Sequence, residues 1–206
     1  MPRALPSLPP KAVIGMIHLR ALPGSPAARD PVDRIARQAA DEARLLARAG
    51  FDALLIENMH DVPYVPGRQD PAVVAAMTAA ALAVRAAAPA LPLGIQVLAC
   101  GNREAIAIAL ASGASFIRCE NFVFAQIADE GLQPTAEAAD LLRYRRAIGA
   151  QSVRIFCDID KKHASHALTA DLSIPAWAEA AEFFRADGLI VTGLATGKPA
   201  AAADLA

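Results

Sequence analysis

Aromatic residues are scarce in this chain. They make up 5% of its 206 residues, although 55% are hydrophobic. Alanine supplies much of the difference, and alanine has the best intrinsic helix propensity, so the apolar content favours helices. An excess of one charge is also missing. The 20 basic and 21 acidic residues give a formal net charge of -1. That balance leaves no basic footprint for nucleic acid and no polybasic membrane anchor. No apolar run is long enough to span a bilayer. The uncharged apolar stretch Pro71 to Val84 stops at Arg85, short of the roughly 20 residues a transmembrane helix needs. The opening MPRALPSLPPKAV carries prolines where a signal peptide has a continuous apolar run. A soluble, cytoplasmic protein is expected. The three cysteines, Cys100, Cys119 and Cys157, form no CxxC pair and suggest no disulfide framework. The length suits one domain with a sizeable core.

What the chain has is a recurring unit: short apolar run, polar turn, alanine-rich helix, glycine, next run. The runs are Ala12–His18, Ala53–Asn58, Leu93–Leu98, Phe116–Asn121, Val153–Asp160 and Leu189–Thr192. Asp30-Pro31 and Asp70-Pro71 each read as an N-cap followed by proline at the first helical position. Asn102 reads as the cap of a third helix ending at Gly113. Further helices are expected over about 135–148 and 175–186. Strand–helix alternation implies parallel strands with helical crossovers. No GxGxxG follows the first strand, which disfavours a dinucleotide-binding sheet. Polar residues end strand after strand, the distribution of a TIM-type (β/α)8 barrel, whose sites ring the carboxyl face. Eight strands close such a barrel and six are read here. Residues 1–206 are therefore expected to be one incomplete barrel domain lacking its last two units, roughly 60 residues at about 250 per barrel.

Strand side chains alternate between faces. Arg118 and Glu120 share one face of the fourth strand. Arg154, Phe156, Asp158 and Asp160 share one face of the fifth. The helix-facing side must be apolar, so these polar residues are expected inside, with Cys119 and Cys157 under the helices. Inward charges need partners, and Arg118 and Arg154 are expected to meet Glu57, Glu120 or Asp158. His18 and His60 follow the first two strands. With Glu57, Glu120, Asp158 and Lys161 they form the candidate catalytic set, suited to general acid–base work. Glu57, His60 and Asp158 are the candidate ligands of a divalent metal. Asn58, Gln96, Asn121, Arg118, Arg154, Asp160, Thr192, Gly193, Thr196 and Gly197 are candidate ligand-binding residues. In DIDKKHASH, Lys161 and Lys162 suit an anionic group, and a desolvated Lys is also a Schiff-base candidate. VTGLATGKP has the look of a glycine-rich anion loop but not Walker spacing.

The segments VIGMIHLRALPGSP, GFDALLIENMHDVPY, FIRCENF, DIDKKHASH and DGLIVTGLATGKP together resemble the BtpA/SgcQ family, over about Val13 to Pro199. The resemblance implies a TIM-type barrel close to the ribulose-phosphate-binding group, with two further strands and a glycine-rich close. It implies two functional branches: photosystem I biogenesis by a peripheral membrane protein, and a sugar-operon branch loosely described as nucleoside triphosphatase. Three functions are therefore expected in order. The first is an enzyme acting on a small phosphorylated or sugar-derived metabolite. The second is a non-catalytic assembly factor, and the third a nucleotide hydrolase. The expected partner is a small anionic metabolite, with self-association left open. The Ala/Arg-rich composition hints at a bacterial source.

Overall fold

The six apolar runs become parallel strands because they are short and β-branched in part, and because a helix after each of the first five carries the chain back to start the next. The computed structural model describes residues 8–193, 195 and 197–205. In chain order the elements are β1 (Ile14–His18), α1 (Val32–Arg48), β2 (Ala53–Glu57), α2 (Pro71–Ala87), β3 (Leu93–Gln96), α3 (Asn102–Ser112), β4 (Phe116–Cys119), β5 (Gln126–Ala128), β6 (Gly131–Gln133), α4 (Ala138–Ala147), β7 (Arg154–Ile159), β8 (Ala164–Ser165), α5 (Ile174–Phe183) and β9 (Gly188–Val191).

The main sheet has the order β1-β2-β3-β4-β7-β9, every pairing parallel. Strands in sequence order with one crossover each curl the sheet into a half-barrel. Among the described residues β1 and β9 each pair on one side only. The outer face packs on the helices. Ile17, Leu54, Ile56, Ile95, Ile117, Cys119, Ile155 and Cys157 join Ile35, Ala39, Met77, Ala80, Ile106 and Trp177 in one buried core. Cys119 and Cys157 lie on this helix side, as strand parity expects.

The concave face is filled at its base by two aromatic rings. Phe116 lies against Gly94 and Phe156 against Gly188, where a Cβ on either glycine would collide with the ring. The rings themselves meet at 5.2 Å between centroids. Glycine at these two positions is thus a packing requirement. Above this layer the polar residues begin.

Two helix starts differ from the sequence expectation. Asp70 caps α2, its Oδ1 accepting from Ala72 N at 2.7 Å. Asp30 does not cap α1; Pro31 holds that position, and Asp30 meets Arg34 at 3.1 Å and Arg20 at 3.5 Å. Asn102 is the first residue of α3 rather than its cap, because its amide is drawn away to Glu120 and Glu137. The segment between β4 and α4 contains the β5–β6 hairpin, which β8 extends to three antiparallel strands.

Candidate active site

The register of the parallel strands aligns the polar residues. His18 stands opposite Glu57, and Glu57 opposite Gln96. These three, with Arg118, Glu120 and Lys161, line a cavity of about 470 Å³. Its apolar walls are Met16, Met59 and Leu98, and its rim includes Tyr64, Lys162, His163 and the hairpin turn residues Asp129 and Glu130.

Two ion pairs brace the cavity. Arg118 holds Asp158 in a fork, with Nε at 3.2 and 3.0 Å from the two carboxylate oxygens and a terminal nitrogen at 3.0 Å. Burial pushes Asp158 up, and Arg118 opposes that rise. Lys161 Nζ donates to Glu120 Oε1 at 2.7 Å. Burial works against the Lys161 charge, but Glu120 and then Asp158 hold its pKa above the ordinary value. A lysine kept protonated in this way is no free amine, so the Schiff-base role is not what this geometry provides. Glu120 Oε2 accepts from Cys100 N at 2.9 Å, and Asn102 holds the Glu120 backbone at both its N–H and its carbonyl.

Two groups remain uncommitted to such pairs. Glu57 is buried, and His18 engages it with Nε2 3.2 Å from Oε2. Burial raises its pKa; Arg118 lowers it, Glu120 and Asp158 raise it further, and Lys162 lowers it. The Lys162 ammonium makes no salt bridge among the described residues, although its backbone N–H donates to Thr192 Oγ1 at 2.9 Å. The cavity thus holds a carboxyl whose pKa is raised by burial and a lysine without a salt bridge among the described residues.

Several candidates from the sequence lie elsewhere. His60 lines a separate cavity of about 540 Å³ beside α1, with Arg20, Gln38 and Glu42; His18 lies between the two cavities and lines both. Strand parity gave no guide here, because β2 ends at Glu57. Asn58 is fully buried and spent on structure. It donates to Asp61 and to the Leu98 carbonyl and accepts from Leu98 N. Asn121 has a positive φ of 52° and donates to the Thr135 carbonyl. Arg154 stands over the Phe156 ring at 5.8 Å, at the base, and Asp158 does not reach it. Asp160 leaves the strand face through a φ of 44° and stands exposed, 3.4 Å from His166. Gly193 packs against the carbonyls of Lys198 and Pro199, which accounts for glycine there without a bound anion. Gly197 takes a positive φ of 76° in a turn. Thr196 lies outside the described residues.

The metal set is not assembled. No group of three or more His, Cys, Asp or Glu among the described residues is placed to hold a metal ion. Asp158 is committed to Arg118, and His60 is in the other cavity. What the sequence reading missed is Tyr64 and the hairpin acids. The signal was present in QIADEGLQ, where Gly131 takes a φ of 109° in a tight turn between two short alternating runs.

Comparison with known proteins gives the following. A sequence model of the BtpA family matches residues 9–206. An uncharacterized mitochondrial protein of Caenorhabditis elegans is 45% identical over 91% of this chain and 69% of its own length. The photosystem I biogenesis protein BtpA of Synechocystis is 38% identical over 94% and 66%. An uncharacterized protein of Thermococcus kodakarensis is 36% identical over 92% and 70%. Relatives thus occur in eukaryotes and archaea as well as bacteria. Among solved structures, 2,3-dimethylmalate lyase, of the PEP mutase/isocitrate lyase superfamily, matches with a TM-score of 0.53 at 16% identity. That match covers 88% of this chain and 58% of the lyase. PhdJ bound to a substrate intermediate matches with a TM-score of 0.54 at 17% identity, over 94% and 56%. The chain spans about two thirds of the curated relatives and under three fifths of these solved chains. At such identities the structures speak for the fold.

Proposed function

This chain belongs to the BtpA family, and from that premise we propose an enzyme that moves a proton on a small anionic metabolite. Glu57 and His18 are the acid–base pair, and Lys162 receives the anionic end, a phosphate or carboxylate. Arg118–Asp158 and Lys161–Glu120 hold the walls in place. The observation that carries this reading is the Glu57–His18 pair facing the cavity, with the carboxyl raised by burial. A carboxyl tuned upward, toward neutral pH, is suited to both giving and taking a proton. The likeness to barrel lyases supports reading the six strands as an arc of a closed eight-stranded barrel, and a sugar-derived phosphate fits a cavity of this size and charge.

Calorimetric titration tests the reading. Glycerol 3-phosphate and malate are the probes. At least one is expected to bind at millimolar affinity or better, and Lys162→Gln to weaken it about tenfold. Failure of both to bind a folded chain overturns the reading.

The second reading, an assembly factor, is favoured by one observation: the 38% identical Synechocystis relative is named for photosystem I biogenesis. No helix among the described residues is long and apolar enough to cross a membrane, so any membrane contact through them would be peripheral. Under this reading Glu57→Gln and Lys162→Gln leave partner capture unchanged. The nucleotide-hydrolase reading draws no support from the segment after β9, where Gly193 is explained by packing.

A further inference from the structure

His18, Glu57 and Gln96 occupy one row across three adjacent strands. The first two satisfy each other. The third is left over. Gln96 is 2% exposed, lines the cavity, and its Oε1 is buried without a hydrogen-bond partner among the described residues. Buried amide oxygens in folded proteins are nearly always paired, and each exception needs a reason. The reason available at a cavity wall is a ligand that brings the missing donor.

The donor is a hydroxyl or an ammonium, and the surroundings choose between them. Arg118 lies on the neighbouring strand, and Lys162 lines the same cavity without a salt bridge among the described residues. A cation brought to Gln96 would meet the Lys162 ammonium, Arg118 being already balanced by Asp158. Glu57 is already engaged by His18, 3.2 Å away. A neutral hydroxyl meets no such repulsion.

Resting on the proposed function above, we propose that Gln96 reads a hydroxyl on the substrate. The ligand is a short hydroxylated anion, its hydroxyl on Gln96 Oε1 beside Glu57 and its carboxylate or phosphate at Lys162. A pocket built to accept a hydroxyl hydrogen bond rejects analogues that lack it far more strongly than an apolar pocket rejects a missing methylene, by factors above about 10³ at best. A 2-oxo analogue also fails, because it sets an acceptor against an acceptor.

The test uses two series on the full chain, read by calorimetry. The carboxylate series is malate, oxaloacetate and succinate. The phosphate series is glycerol 3-phosphate, dihydroxyacetone phosphate and propyl phosphate. In whichever series binds, the hydroxyl member is expected to bind at least about 30-fold tighter than the oxo and deoxy members. Gln96→Leu is expected to collapse that ratio to within about threefold while the deoxy member binds as before. Equal binding of all three members in the unmodified chain overturns the assignment and leaves the anion site standing. Discrimination that survives Gln96→Leu overturns it too, by placing the reader elsewhere. Binding of no member in either series removes the proposed function itself. The ratio in the unmodified chain decides the matter if the variant fails to fold.

Discussion

His18 and Glu57 meet across the β1–β2 register with Nε2 3.2 Å from Oε2, and their pKa values move toward each other. Burial raises Glu57. Burial lowers His18, against the upward pull of Glu42. Both shifts favour the neutral species. Burial thus works against full charge on both partners of this 3.2 Å contact.

Glu57→Gln tests this directly. The variant keeps shape and removes the ionisable group. A raised carboxyl contributes stability that is fully present below the unfolded value of about 4.3 and lost as pH rises through the folded value. Relative to the parent, the variant is expected to gain stability toward alkaline pH. The gain is about 1 kcal/mol, or a few degrees in Tm, while proton transfer falls about 100-fold or more. Melting curves from pH 4 to 9 check the sign.

Glu137 gives a second pH dependence away from the cavity. Burial pushes it up to about 7; the Asn102 hydrogen bond pulls it down, and Glu104, Asp140 and Glu120 push it up. Its stabilising share is complete below about 4.3 and disappears as pH rises through about 7. Glu137→Gln is expected to flatten the fall in Tm between pH 5 and 8. The effect is about 1 kcal/mol once solvent screening of this half-buried group is allowed for. An unchanged slope would count against the assignment.

Asp158→Asn is expected to destabilise by about 3–5 kcal/mol, since it leaves Arg118 buried without its charge partner. Replacing both, as Arg118→Met with Asp158→Leu, is expected to recover most of that loss. Urea unfolding of the two variants measures the difference. A double variant as weak as the single one would show that the pair is not the cause.

Gly94→Ala sets a Cβ against the Phe116 ring and is expected to cost about 1–3 kcal/mol by overpacking. In a Phe116→Leu background the same change is expected to cost about 1 kcal/mol less. Equal costs in the two backgrounds would place the strain elsewhere.

The fold was largely legible because its signal is local. Asp70-Pro71, Gly113 and six apolar runs mark the ends of elements, and parity then sorts Cys119 and Cys157 from Arg118 and Asp158. The candidate site was legible only where residues sit on strands. Glu57, Gln96, Arg118 and Asp158 share a side because their backbone alternates. His60, Asn58 and Asp160 lie past the strand ends, where a single positive φ or a side-chain-to-backbone hydrogen bond redirects a residue and alternation no longer applies. The hairpin acids Asp129 and Glu130 reach the rim through three-residue strands, too short for periodicity to register. Which carboxylate would pair with which cation was also beyond sequence, because Arg118 bonds Asp158 forty residues away and Lys161 bonds Glu120 across forty-one.

The two braces also bear on how the chain finds its structure. Parallel strands lack the tight turn that sets register in a hairpin, so neighbouring strands are free to slide during assembly. Between β4 and the segment of β7 and its exit, charge alternates in opposite order: Arg118 then Glu120 on one side, Asp158 then Lys161 on the other. A slip of two residues that sets Arg118 opposite Arg154 instead of Phe156 keeps apolar side chains toward the helices but draws both pairs apart and brings two cations together in the interior. The residues that shape the cavity thereby also favour the native register of β4 against β7 over that slipped one.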